Sequence, residues 1–357
     1  MRILCLGAGG FIGAHLTERL LSKGHSVVGI DTHEDKIHEF LDCEQLAFLK
    51  QDVRQPGFAL DRLIRDADLV VDLIAYANPG IYVRRPLDVF DMNFTENLKI
   101  AEACVRQGKR LIQFSSCEVY GKTVASIVPE KLIDPKDPSL ATFSEDCTDF
   151  ILGPVNKHRW IYSCAKQLLE RVLHAYGLQG DLNYTIIRPF NFIGPKIDYL
   201  PSETDGVPRV FSFFMEALLL GTEMRLVNGG TQRRCYTYID DAIECIHRIV
   251  ENHGRVCDRQ IFNVGSPDNE ISIRGLAELM CQIFHETFGQ HQHLLPHIAD
   301  VSAEAFYGEG YDDCDRRIPD IAKARNLLGW EPQVGLREAL ELTMRYHVAE
   351  DMMSRAE

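Results

Sequence analysis

Basic residues are scarce in this chain relative to acidic ones: 38 lysines and arginines stand against 52 aspartates and glutamates, a formal net charge of −14. A surface of that sign argues against nucleic acid or an anionic membrane as the main partner, because both reward positive charge. Any polyanionic substrate then needs arginines placed locally. No apolar run approaches the length that spans a bilayer, and the first apolar stretch is a short run broken by glycines rather than a secretory signal. A cytoplasmic protein is the expectation. Paired cysteine motifs are missing too: the eleven cysteines are odd in number and scattered, with no spacing of a zinc knuckle or redox pair. They read as reduced thiols, with Cys5, Cys104, Cys245 and Cys281 in apolar patterns as core residues, and no metal is expected. No repeat or low-complexity linker divides the 357 residues, which at 45% hydrophobic and 25% charged suffice for one large core and a smaller lobe.

What is present begins at once. The apolar run Ile3 to Leu6 reads as a buried strand, Gly7, Gly10 and Gly13 allow a turn to approach a pyrophosphate, and Ala14 to Leu21 reads as a helix whose N-terminus attracts anions. A second short apolar run, Val27 to Ile30, ends in Asp31, whose carboxylate accepts hydrogen bonds from an adenosine ribose and repels a 2′-phosphate. A tight turn with close helix packing explains a glycine pattern alone. Strand, glycines, helix and acidic strand end in this order point instead to a dinucleotide, NAD rather than NADP.

Further strand-like runs at Leu69 to Ile74, Arg110 to Phe114 and Tyr184 to Arg188 alternate with helical patterns at Leu87 to Arg106 and Ser163 to Tyr176. That alternation predicts an α/β fold with a Rossmann-type, doubly wound parallel sheet. From Pro189 the pattern is broken by Pro195, Pro201, Gly206 and Pro208 before the helix-like Val210 to Leu220. Cys235 to Ile239 and Gln260 to Val264 read as short strands, Ile273 to Phe284 and Leu336 to His347 as amphipathic helices, and Tyr307 to Asp320 as a loop. The division that follows is an NAD-binding domain over 1–188, with 235–266 returning to it, and a smaller C-terminal substrate lobe over 189–234 and 267–350.

The strand Arg110 to Phe114 runs into Ser115 and Ser116, placing hydroxyls at the C-terminal edge where open parallel sheets bind ligands. Tyr162 and Lys166 lie four apart on a predicted helix and share one face. An ammonium beside a phenol favours the phenolate, so Tyr162 is expected to have a lowered pKa and to serve as a general base. The alternative is an exposed helical pair beside Trp160.

These residues resemble the extended short-chain dehydrogenase/reductase superfamily, whose Ser/Thr, Tyr and Lys triad matches Ser116, Tyr162 and Lys166. The resemblance runs essentially end to end. Within it, Ser-Cys-Glu-Val-Tyr-Gly (116–121), Arg-Trp-Ile-Tyr-Ser-Cys-Ala-Lys (159–166), Arg-Pro-Phe-Asn (188–191) and the run 307–319 are similar to the UDP-glucuronate decarboxylase branch. The wording of Cys117 to Thr123, of 205–210 and of 307–319 is most like its apiose/xylose synthases.

The resemblance implies a UDP-glucuronate substrate, an NAD cofactor contacted by Gly7, Gly10, Phe11, Ile12, Gly13, Asp31, Asp52, Tyr162 and Lys166, and a homodimer through the helices at 87–106 and 163–176. It implies that Glu118 and Arg317 work at the uronate carboxylate, Arg317 through its fork and Glu118 by positioning water or relaying a proton. A loop ion pair with Asp313 or Asp315 is the other reading of Arg317. Arg209 and Arg234 match diphosphate contacts, and Tyr82, Asn191 and Asp313 are further substrate candidates. Cys117, where plain xylose synthases show serine, is a candidate acid/base for ring contraction or a tolerated exchange. The second cysteine of the plant apiose synthases falls on Ala77. Cys164 is expected to pack away from the Tyr162 face. The rival activities are a UDP-xylose or UDP-4-keto-pentose synthase, a UDP-sugar 4-epimerase, and an NAD-sensing regulator without turnover.

Overall fold

The computed structural model describes residues 1–134, 136–198, 200, 209–289 and 296–354. Pro201, Gly206, Pro208 and most of the 205–210 run lie outside the described residues. The strands in chain order are β1 Arg2–Leu6, β2 Ser26–Asp31, β3 Leu46–Lys50, β4 Leu69–Asp72, β5 Arg110–Phe114, β6 Thr142–Phe143, β7 Tyr184–Pro189 and β8 Phe192–Ile193. They continue with β9 Met224–Val227, β10 Arg233–Cys235, β11 Thr237–Tyr238, β12 Gln260–Val264, β13 Glu270–Ser272, β14 Ile298–Val301 and β15 Arg316–Pro319.

Seven of these form one parallel sheet in the order β12-β7-β5-β4-β1-β2-β3. Helices Phe11–Ser22, Leu60–Asp66, Asn97–Gln107, Ile161–Gln179 and Ile239–Glu251 alternate with its strands, as a doubly wound architecture requires. The central strands are buried on both faces, which is why β1 and β4 read as unbroken apolar runs. Strand β3 lies at the sheet edge with most of its side chains partly or fully exposed, so its pattern carries no such signal and the sequence reading omits it. A second sheet, β13-β10-β15-β6, stands over the C-terminal ends of the first; β10, β15 and β6 are parallel to one another and β13 is antiparallel to β10.

Three expected elements differ. The stretch Tyr307 to Asp320 is not all loop, because β15 is inserted between β10 and β6 and is largely buried. The expected strand Cys235 to Ile239 divides into β10 and β11, and Ile239 opens a helix. The long helix from Leu87 divides into Pro86–Phe90, a wider π-turn over Asp91–Glu96 and Asn97–Gln107. The π-turn and the helix that follows it each turn an asparagine inward: Asn93 Nδ2 donates to the carbonyl of Tyr76 at 3.2 Å, and Asn97 Nδ2 to that of Ile74 at 3.2 Å. This holds the loop after β4, which forms one wall of the cleft.

Among the described residues no helix is long and apolar enough to cross a membrane.

Candidate active site

The glycine turn after β1 is shaped by contacts that exclude side chains. Gly7 takes φ +88°, and a Cβ on Gly13 would sit 2.0 Å from the Gly7 carbonyl oxygen. At Gly10, which precedes the helix, a Cβ would meet nothing nearer than 3.4 Å, and no side chain caps the first turn. The N–H groups of that turn therefore face an open cleft lined by Gly7, Gly10, Phe11, Ile12 and Gly13, with Ala75, Ala77 and Asn78 opposite and Ser116 and Tyr162 at its inner end. Asp31 ties the turn in place: Gly9 N donates to Oδ2 at 3.0 Å, and Thr32 N and His33 N donate to Oδ1 at 2.7 and 3.2 Å. A glycine cradle, an uncapped helix start and an acidic strand end fit a dinucleotide. Asp52 is held by Arg54, whose Nε and Nη2 donate at 2.9 and 2.6 Å, and does not line the cleft.

At the inner end, Tyr162, Lys166 and Glu170 lie one turn apart on helix Ile161–Gln179 and are all buried, which excludes an exposed pair. The expected lowering of the Tyr162 phenol is not found. Lys166 Nζ turns under the helix and donates to Asn97 Oδ1 and to the Phe114 carbonyl, both at 3.0 Å, beside the buried Asp72. Burial holds the ammonium down to about 8 and raises the Asp72 carboxyl to about 6. The Tyr162 phenol is pushed up, by burial first and then by the Glu118 charge, against a hydrogen bond with Ser116 that lowers it. Tyr82 adds to that burial: its ring stacks on Tyr162 with centroids 4.4 Å apart and planes at 7°. Spacing alone put the two side chains on one face; the acceptors beneath the helix decide where the ammonium points.

Beyond the tyrosines the second sheet delivers charge. The parallel pairing of β10 with β15 sets Arg234 opposite Arg317, and both point at Asp313. Arg234 Nη2 reaches Asp313 Oδ2 at 2.8 Å, and Arg317 Nη2 reaches Oδ1 at 3.2 Å. Arg159, only 1% exposed, bridges Asp313 Oδ1 at 3.3 Å and Glu118 Oε1 at 3.1 Å. Three arginines thus face two carboxylates. Although burial acts against it, this company drives the Asp313 carboxyl far below its ordinary range. Of the two ion pairs weighed for Arg317, the one with Asp313 forms. Glu118 Oε2, Arg159 Nε and Nη1, and Arg317 Nε are shut from solvent with no hydrogen-bond partner among the described residues. Arg317 Nη1 also lies 3.9 Å from Cys117 Sγ, where burial pushes the thiol up to about 11.

The remaining candidates fall around the same space. Asn191, at φ +42°, donates from Nδ2 to the Cys235 carbonyl at 3.2 Å and lines both halves of the cleft, as do Ala77, Glu118 and Arg209. Arg209 is paired with Asp198, its Nε and Nη2 donating at 3.0 and 2.8 Å. Arg188, quoted only as part of a motif, is structural: it forks onto Glu170 at 3.0 and 2.6 Å and reaches the Tyr120 hydroxyl at 2.7 Å. Cys164 turns away from the Tyr162 face as expected, but it is exposed rather than packed, and Cys281 is only partly buried. Sequence reasoning missed Arg159, Asn97 and Asp72. For Arg159 there was a signal, since it stands three residues before Tyr162 in a run already singled out; the other two depend on tertiary contacts.

Residues 3–265 match the model of the NAD dependent epimerase/dehydratase family. The chain belongs to that family. NAD is accordingly the cofactor of this epimerase/dehydratase, and the fit of the glycine turn agrees with it. The family member is 42% identical over 356 residues to the UDP-D-apiose/UDP-D-xylose synthase of Oryza sativa subsp. japonica, covering 97% of this chain and 89% of the relative. It is 41% identical to UDP-D-apiose/UDP-D-xylose synthase 1 of Arabidopsis thaliana, with 97% and 91% covered. Among solved structures it matches PbgP3 from Burkholderia pseudomallei at 32% identity and a TM-score of 0.84, over 99% and 98% of the two chains. A UDP-glucuronic acid 4-epimerase from Bacillus cereus shares the fold, with a TM-score of 0.79 at 23% identity over 98% and 100%.

Proposed function

We propose that this protein is an NAD-dependent UDP-glucuronate decarboxylase that forms a UDP-pentose, UDP-apiose together with UDP-xylose. The observation that carries the reading is the buried cluster of Arg159, Arg234 and Arg317 against only Asp313 and Glu118, with donors left open, next to the Tyr162–Ser116 pair. In a protein of net charge −14 a buried excess of guanidinium calls for an anionic guest, and the planar fork suits a carboxylate.

Gly7, Gly10, Gly13 and the first helical turn would hold the NAD pyrophosphate, and Asp31 its ribose. When bound, NAD supplies the hydride acceptor, and later donor, for sugar C4. Tyr162 takes the C4 hydroxyl proton as its phenolate, a form that burial alone disfavours and that a cationic nicotinamide held beside it would favour, with Ser116 hydrogen-bonded to it. Arg159 and Arg317 hold the uronate carboxylate while Arg209 and Arg234 face the diphosphate. Oxidation at C4 makes a β-keto acid, whose carboxylate departs as carbon dioxide because the ketone accepts the electron pair as an enolate. Glu118, with one oxygen unpartnered, relays the proton that quenches it. Cys117 stays a thiol at neutral pH and so acts as a proton donor if the ring opens and contracts.

A xylose-only or 4-keto-pentose product is the second reading, favoured by Ala77, which lines the cleft where the plant apiose synthases carry a thiol. A homodimer belongs to the same proposal: Leu87 and Leu168 are exposed apolar side chains on the two helices expected to pair. The test is incubation with UDP-glucuronate and catalytic NAD, with the UDP-sugars followed by NMR. UDP-pentose is expected; accumulation of the C4 epimer alone would overturn the proposal.

A further inference from the structure

On the opposite edge of the sheet from the cleft, where β2 begins rather than ends, two histidines and a glutamate meet. His25 lies in the turn between helix Phe11–Ser22 and β2; His247 and Glu251 lie one turn apart at the end of helix Ile239–Glu251. His25 Nε2 is 3.0 Å from Glu251 Oε1, and His247 Nε2 is 3.8 Å from the same oxygen. One ligand atom from each residue falls within 4.8 Å of the others. A tetrahedral ion with bonds of about 2.0–2.1 Å needs such atoms about 3.4 Å apart, which small side-chain shifts achieve here.

An ion pair between His25 and Glu251 accounts for two of the three. It does not account for His247, whose Nε2 is closed to solvent and has no hydrogen-bond partner among the described residues. A buried ring nitrogen aimed at a carboxylate oxygen but too far to bond it is left unsatisfied by the protein alone. We propose that His25, His247 and Glu251 form a binding site for a divalent transition metal of the zinc class, tying the turn before β2 to helix Ile239–Glu251. Two imidazoles and one carboxylate favour zinc, cobalt or nickel over magnesium or calcium, and leave a fourth position for water. The site lies away from the cleft, so its role is structural. It departs from the expectation of no metal, which rested on local spacing; Glu251 stands 226 residues from His25.

Nδ1 of His25 lies 3.4 Å from the Met1 amino nitrogen, so the experiment uses untagged protein. Zn²⁺ and Co²⁺ are titrated into the protein by calorimetry and visible spectroscopy. The expected result is about one equivalent of tightly held metal, with d–d bands of a four-coordinate Co²⁺ having nitrogen and oxygen donors, and a raised Tm. His247→Ala and Glu251→Gln should each lose at least tenfold in affinity and abolish the Tm gain while retaining turnover. A variant with Cys147→Ser and Cys164→Ser should bind as before, since those exposed thiols are the competing ligands. Absence of binding, unchanged binding in the His247 and Glu251 variants, or binding lost only with the cysteines would each refute the site. Circular dichroism of the metal-free variants separates lost binding from lost folding.

Discussion

On the glycine side of the cleft, Gly7, Gly10, Gly13 and Asp31 come from one continuous run of strand, turn, helix and strand. On the arginine side, Glu118, Arg159, Arg234 and Arg317 come from four separate segments, two of them paired strands of the smaller sheet. The first half is made by backbone: N–H groups, a missing Cβ and a strand end. The second is made by side-chain charge, held in register by β10 and β15 and neutralised only in part by Asp313 and Glu118. A backbone site serves any ligand with the right phosphates, whereas a charge cluster selects one feature of one substrate. The cofactor half thus answers to the NAD on which the family depends, and the arginine half is where a choice of substrate is to be sought.

Tyr162 stands between the halves, so removing its hydroxyl should break the connection without dismantling either. Tyr162→Phe is expected to lower kcat by about 10³-fold or more, within the range of general acid–base groups, while NAD affinity measured by fluorescence changes less than about twofold. Retained carbon dioxide release would remove Tyr162 from its role.

The arginine half is sharpened by comparing ligands with and without the carboxylate. Arg159→Ala and Arg317→Ala should each weaken UDP-glucuronate by about 100-fold and UDP-xylose by less than about fivefold, since truncating one member of a buried charge cluster costs a few kcal/mol only where its partner is present. Equal losses for both ligands in calorimetric titration would make the two arginines supports for Asp313 and nothing more. On the glycine side a smaller effect is expected: Asp31→Ala should lower NAD affinity by about tenfold and narrow the preference over NADP, through loss both of the ribose acceptor and of the carboxylate that fixes Gly9 and His33. The smallest change lies in product choice. Cys117→Ser should move the pentose ratio towards UDP-xylose with decarboxylation preserved, and Ala77→Cys should raise the apiose share, both read by NMR.

The same contrast decides what could be read from sequence. The glycine turn and Asp31 were legible because their signals are contiguous, and the main sheet because strands buried on both faces leave unbroken apolar runs. The edge strand β3 left none. Glu118, Arg234 and Arg317 were reached through resemblance, since nothing local says that β10 and β15 pair and place two arginines side by side. The direction of the Tyr162 shift was misjudged for a similar reason: Asn97 and the Phe114 carbonyl, which take the Lys166 ammonium, are far from it in the chain. The sequence shows which groups share a helix face but not which partners wait beneath it.

The most direct test of the account follows the carboxyl carbon itself. UDP-glucuronate labelled with ¹³C at C6 is incubated with the protein and NAD, and the label is traced by NMR as the UDP-sugars form. The account predicts one labelled carbon dioxide or bicarbonate for each unlabelled UDP-pentose, lost together in Tyr162→Phe. Label retained in a UDP-hexuronate epimer, with none released, would contradict it.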